Sequence, residues 1–245
     1  MEETRMEAAG LRPFPARAAA RLGGAFYLAV IVLGLFGEAV VRGRVVVSGD
    51  AAATAQRLSE SVFLWRLGVA GELLLLLCAA GVTVAWYLLF RVVNRELAVF
   101  MAFLGLLSIA VESVGAFHLQ SALTPLSSAA FAGVQDPGAA QAQAYLAVVA
   151  HGQTFGIALI FFGVECLVVG QLIRKSGFVP GTIGILMQVA GLCYLVNSFS
   201  LVLHPPLARL LFPAILLPAL VAEASLCGWM LFKGVDEAAW RRRVG

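Results

Sequence analysis

The stretch HGQTFGIALIFFGVECLVVG, His151–Gly170, decides the fold. Twenty residues of α-helix rise about 30 Å, which matches the hydrocarbon thickness of a bilayer. A continuous apolar run of this length has to satisfy its own backbone hydrogen bonds in lipid, so it reads as a helix and not a strand. Two of its residues are out of place in hydrocarbon. An imidazole opens the run at His151 and a carboxyl group sits in its body at Glu165. They are 14 positions apart, so they lie at nearly the same angle but about 21 Å apart along the axis. They share a face and cannot share a ligand. Gly156, Gly163 and Gly170 recur every seven residues, a spacing that keeps one seam against a neighbouring helix. Gly152 with Gly156, and Gly177 with Gly181, add small-xxx-small pairs of the kind that let backbones approach. A tight seam on one side and polar groups roughly opposite place this helix at the centre of a bundle.

The same character extends in both directions. Of the 245 residues, 61% are hydrophobic and 13% charged, and the mean hydropathy is +0.92. A soluble domain of this size cannot hide so much apolar surface. Six apolar runs emerge, at about 22–41, 66–90, 97–119, 144–173, 180–203 and 211–232. The expected architecture is therefore an all-α polytopic transmembrane bundle of six spans. Residues 1–21 form an N-terminal tail, 22–232 the membrane domain and 233–245 a basic C-terminal tail. The longer connections, 42–65 and 120–143, are rich in Ala, Ser and Gly and suit short helices lying on the surface. Pro180 suits the start of the fifth helix, Pro205–Pro206 its end, and Pro218 is expected to kink the sixth.

Basic residues give the orientation. One side takes 12 of the 17 (Arg5, Arg12, Arg17, Arg21, Arg91, Arg95, Arg174, Lys175, Lys233 and Arg241, Arg242, Arg243) and the other takes Arg42, Arg44, Arg57, Arg66 and Arg209. Both termini are thus expected in the cytoplasm. Fifteen arginines against two lysines, with abundant Ala and Gly, read as a GC-rich bacterial chain and point to the bacterial cytoplasmic membrane. The acidic start, MEETRME, reads as a short tail and the first span as a retained helix. Cys78, Cys166, Cys193 and Cys227 all lie in apolar runs without a close pair and read as small buried hydrophobes.

Several chemistries are set aside. No basic patch interleaved with aromatics points to nucleic acid. Phosphate loops, GxSxG elbows, CxxCH and HExxH motifs are missing, and neither lysine lies mid-membrane. What stands out is a set of carboxyls, Glu38, Glu72, Glu112, Glu165 and Glu223, each within an apolar run, with Gln188 and Asn197 in the fifth helix. A charged residue mid-membrane costs about 2.5–3.5 kcal/mol on insertion scales, so each needs a partner, water or a proton. Three readings follow. The carboxyls are interhelical glue, protonated or paired with Arg66, Gln188 and Asn197, in a structural membrane subunit without ligand. Or they line an outward-open polar cavity for a small or lipid-like molecule, with proton exchange; the lead residues are then His151, Glu112, Glu165 and Glu223, backed by Glu72, Glu38 and Asn197. Or His151, His118 or His204 joins a carboxylate in a metal- or haem-dependent enzyme. No cofactor, catalytic residue or oligomeric state follows from the residues, and the second reading is preferred.

One resemblance bears on this choice. The run His151–Leu203 has a His before a glycine-rich apolar helix, an FFG turn, a short basic loop ending in SGFVP and a helix carrying AGLCYLV. An acidic residue before LCGWMLFKGV follows in the last span, and ARLGGAFYLAV and AVES lie in the first half. In these marks the chain resembles the bacterial domain-of-unknown-function family 4386 over about residues 17–235. The resemblance implies a bacterial multi-pass protein and transfers no catalytic residue. It also implies two departures: Ile109 stands where relatives carry an Arg one turn before Glu112, and Glu165 stands where they carry a His.

Overall fold

Long apolar runs have one economical way to pair their backbone groups, and the regular secondary structure of the described residues is helical throughout. A computed structural model of the protein describes residues 15–127 and 136–244. Helix α1 (Ala16–Leu35) continues through a π-helical turn, Phe36–Arg42, and a last turn, Gly43–Val45. The short α2 (Ala51–Glu60) precedes α3 (Val62–Phe90), α4 (Arg95–Ser121) and a single turn, α5 (Thr124–Ser127). Then come α6 (Pro137–Ser176), α7 (Gly181–Leu203), the short α8 (Pro205–Leu211) and α9 (Leu217–Gly228), the last ending in a second π-helical turn, Trp229–Lys233. The short α10 (Glu237–Val244) completes the described chain.

Six helices among the described residues are long and apolar enough to cross a membrane: Ala16–Val45, Val62–Phe90, Arg95–Ser127, Pro137–Ser176, Gly181–Leu203 and Ala214–Lys233. Each expected span coincides with one of them. Their outward faces are apolar, with Phe63, Leu77, Phe103 and Leu203 among the most exposed residues. That is the inside-out surface of a bundle solvated by lipid tails.

The six long helices pack in chain order, α1 on α3, α3 on α4, α4 on α6, α6 on α7 and α7 on α9, and α9 closes back on α1. The ring therefore has two ends. A terminal face carries α10, the turns 91–94 and 177–180, and an ion pair between Arg17 and Glu237 at 3.9 Å. A loop face carries α2, α5 and α8. On the terminal face the Trp240 indole donates to the Leu89 carbonyl at 3.1 Å, which moors α10. On the loop face the Trp65 indole donates to the Leu119 carbonyl at 2.8 Å. Short helices do lie over this face, as the composition of the first long connection implies. Asp50 caps α2 by accepting from the Ala53 amide at 2.9 Å, and the Gly49 amide donates to the Tyr145 hydroxyl at 2.7 Å.

The glycine seam of α6 forms, and its partner is α7. A Cβ on Gly163 would come within 3.0 Å of the Gly191 carbonyl oxygen, and one on Gly191 within 2.5 Å of the Gly163 carbonyl oxygen. Gly170 meets Gly184 in the same reciprocal way one heptad on, and Gly156 packs on Leu201. The opposite side of α6 turns Glu165 toward α3 and α4, so this helix is two-sided and the most buried of the six spans, but it stands in the ring between α4 and α7 and not at a centre.

Four local expectations are corrected. Helix α6 begins at Pro137, not near 144, because Asp136 accepts from the Ala139 amide and Pro137 occupies the first turn, where a missing N–H costs nothing. Its 40 residues give a length of about 60 Å, so it projects well beyond the hydrocarbon. Pro218 does not kink the last span, since α9 starts at Leu217 and the proline falls in its first turn. Nor do the pairs Gly152–Gly156 and Gly177–Gly181 pack as pairs. Gly152 and Gly181 face open space, and Gly177 ends α6 with a φ of 76°, a left-handed cap that suits glycine. Residues 128–135 of the second long connection, and 1–14 of the N-terminal tail, lie outside the described residues.

Candidate functional site

The ring gathers its carboxyls at two levels, with Glu72, Glu165 and Glu223 buried, Glu112 half-buried and Glu38 exposed. Toward the loop face, the π-helical turn of α1 supplies Glu38 and Arg42. The Arg42 guanidinium donates from Nε to Glu38 Oε2 at 2.7 Å and reaches Glu72 Oε2 on α3 at 3.5 Å from Nη1. Gly37 lines the pair, and a Cβ there would make ordinary contacts, 3.4 Å from Arg42 Nη1 and 3.7 Å from Glu72 Oε2. Glu112 of α4 meets Glu72 side chain to side chain. His151 of α6 feels the charges of Arg42, Glu72 and Glu38, and its ring packs on Gly115 with Nδ1 buried and without a hydrogen-bond partner. Four helices thus deliver three carboxyls, one guanidinium and one imidazole. Beside them Val41, Arg42, Trp65, Gly68, Val69 and Leu119 line a shallow, half-open recess too narrow to hold a water molecule.

At the second level, the middle of the ring, Glu165 of α6 lies in a notch left by Gly105 of α4. A Cβ at that position would fall 2.6 Å from Glu165 Oε1 and 2.9 Å from Thr83 Oγ1 of α3. Glu223 of α9 accepts a short hydrogen bond from the Tyr194 hydroxyl of α7. The Tyr27 hydroxyl of α1 faces the same carboxyl group, close to Cys166 and Tyr194, and is buried short of any hydrogen bond. Trp86 packs edge-on against Tyr27, with ring centroids 5.4 Å apart, and its indole N–H is also buried and unpartnered. Glu165 and Glu223 interact electrostatically with each other. Among the described residues neither forms an ion pair with Arg or Lys.

The lead residues are therefore divided, with Glu112 and His151 at the first level and Glu165 and Glu223 at the second. Glu38 and Glu72 join the first. Asn197 is half-buried on α7 and belongs to neither cluster. The partners expected under the glue reading are different ones. Arg66 is exposed, Gln188 accepts from Arg174 at 3.1 Å, and the cation that reaches the carboxyls is Arg42. His204 is exposed and accepts from the Leu207 amide through Nδ1 at 3.2 Å, capping α8, while His118 stays half-buried beside Phe117. Among the described residues no group of three or more His, Cys, Asp or Glu side chains is arranged to hold a metal.

Arg42, Tyr27 and Tyr194 are the residues that sequence reasoning missed. Arg42 counts as a loop residue once the first span is closed at 41. The signal that identifies it is its four-residue spacing from Glu38, an i,i+4 ion-pair spacing within one helix.

Six membrane-length helices closed around buried carboxyls define a multi-pass helical membrane protein. The family model for a domain of unknown function, DUF4386, matches residues 22–234, and the chain belongs to that family. No curated protein and no solved structure matches the chain. At the first of the two implied departures, Ile109 packs with Leu75, Leu76 and Ala116, and the positive charge near Glu112 comes from Arg42 across the bundle.

Proposed function

We propose that the protein binds a small or lipid-like amphiphile at the Arg42 cluster, in the half of the membrane next to the loop face, with proton exchange at the neighbouring carboxyls. The observation that carries this reading is the convergence of Glu38, Arg42, Glu72, Glu112 and His151 from four helices beside an otherwise apolar recess. Three carboxyls against one guanidinium are more acid than helix association calls for, and a group left unbalanced in this setting has to find a proton or a positively charged occupant. The recess is too shallow to enclose a ligand, and its Val41, Trp65, Val69 and Leu119 lining with a single charged side chain suits a molecule with one polar end that lies against it from the lipid side. By the distribution of Arg and Lys, the loop face is taken as the outer surface of the bacterial cytoplasmic membrane, with both termini inside.

The metal or haem reading lacks a converging set of ligands among the described residues. The structural-subunit reading is favoured by one observation, that Glu38 and Glu72 already have Arg42 as a partner. Extraction of the full chain with its native lipids, followed by mass spectrometry of what stays bound, separates the two. Binding at the cluster predicts a retained molecule that is lost from Arg42→Ala and kept by Asn197→Ala. Identical contents in wild type and both variants would leave the structural role alone.

A further inference from the structure

The two polar levels are joined along one seam. Helix α4 presents Gly105, Ser108 and Gly115 to α6, and Glu112, which falls on the same stripe of three- and four-residue steps, meets Glu72 of α3. Glu165 fills the Gly105 notch next to Thr83, and His151 packs on Gly115. Between them, the Ser108 hydroxyl donates to the Ala158 carbonyl at 2.9 Å. Each end of the seam holds a buried polar atom that falls short of hydrogen-bond geometry, Tyr27 Oη facing Glu223 at the middle level and His151 Nδ1 facing the Gly115 backbone near the loop face, on residues 2% and 4% exposed.

We propose that the α4/α6 seam is a proton-transfer path, with Glu165 as the carrier between the loop-face cluster and the Tyr27–Tyr194–Glu223 group. The groups facing it are known from every helix around it. Glu165 meets Thr83 of α3, the Gly105 notch of α4, Cys166 of its own helix and Glu223 of α9. Glu223 adds Tyr194 of α7 and Tyr27 of α1. At the other end Glu112 meets Glu72 of α3, within the field of Arg42 of α1. A carboxyl with no cation opposite it inside a bilayer must carry or share a proton. The step conserves charge and electrons: an O–H bond at Glu112 breaks, a hydroxyl or water relays the proton, and an O–H bond forms at Glu165 as that group passes its own proton to Glu223. No redox partner is involved. This inference deepens the reading above, because the amphiphile cluster is one end of the path. It can also fail separately from that reading.

The test is infrared spectroscopy of the full chain in liposomes, following the carbonyl stretch of protonated carboxyl groups on transfer to heavy water. Glutamate labelled with ¹³C identifies the band without any substitution, and Glu165→Gln and Glu223→Gln assign its components. The expected result is a band that loses intensity in Glu165→Gln and exchanges well ahead of the core amides. Its exchange should slow by about tenfold or more when Thr83→Val and Ser108→Ala are combined. Any one of three results overturns the proposal: no protonated band from Glu165, a band that exchanges only with the slowest core amides, or a rate that the double substitution leaves unchanged. Retention of the bound molecule, measured on the same samples, reads the amphiphile site separately. Glu165→Gln should keep it and Arg42→Ala should lose it, so failure of either reading is visible on its own.

Discussion

Replacing Gly191 by alanine tests the packing of the bundle at one of its tightest points. The added Cβ would sit 2.5 Å from the Gly163 carbonyl oxygen and 3.0 Å from Leu167 Cγ. A backbone oxygen cannot swing away as a side chain does, so α6 and α7 must part by most of an ångström to reach an ordinary contact. A gap of about 0.5–1 Å forfeits a quarter to a half of each dispersion contact along the seam, and overpacking of this kind costs about 1–3 kcal/mol. Lipid tails give helices no hydrophobic reason to stay together, so this loss is not made up elsewhere. Against it stands only the higher helix propensity of alanine, worth about 1 kcal/mol. Net destabilisation of up to about 2 kcal/mol relative to wild type is expected. Reversible unfolding in bicelles, followed by tryptophan fluorescence, measures it. Gly152→Ala is the control, because its Cβ meets nothing within 4 Å, and it should be neutral or mildly stabilising. Equal stability of the two variants would refute the claim that α6 and α7 are held by backbone proximity.

Three further outcomes are expected. Arg42→Met strips the buried Glu72 of its cation and should cost about 3–5 kcal/mol, with most of it recovered by adding Glu72→Gln; the same unfolding assay reads both. Gly105→Ala pushes a methyl into the space of the Glu165 carboxyl group and Thr83 hydroxyl, so the infrared band of Glu165 should shift or broaden while that of a Gly152→Ala control does not. Trp240→Phe keeps an aromatic ring at the terminal face but leaves the Leu89 carbonyl without its indole donor. About 1 kcal/mol of docking energy is lost, and limited proteolysis should cut α10 away faster than in wild type.

The spans were legible because lipid allows an apolar run of that length only one regular structure, and the α6 seam was legible because seven-residue glycine spacing has few other uses. The early start of α6 was not. Its cap, Asp136–Pro137, lies among Ala, Gly and Gln residues whose low hydropathy reads as loop. Glu38, Glu72 and Glu112 could each be identified as costly, but periodicity within one helix says nothing about which neighbour it meets. The convergence on Arg42 therefore needed the ring order. The inner group was harder still. Tyr27 and Tyr194 sit in apolar runs where aromatics ordinarily fill space, and only the return of α9 to α1 brings both hydroxyls to Glu223.

Ring closure has a consequence for biogenesis. Helices α1 and α9 approach so closely that a Cβ on Gly24 would touch the Leu231 amide nitrogen at 2.7 Å, and the Cys227 thiol donates to the Gly24 carbonyl at 3.4 Å. The last of the six described spans is thus the keystone of the assembly. Without it, five helices would leave an open arc with Tyr27 at one edge and Tyr194 at the other, and Glu223, the carboxyl that both hydroxyls face, would be missing. A chain cut in the 204–216 connection would leave a slot shaped for one helix, and a separately synthesised final span is the natural piece to fill it.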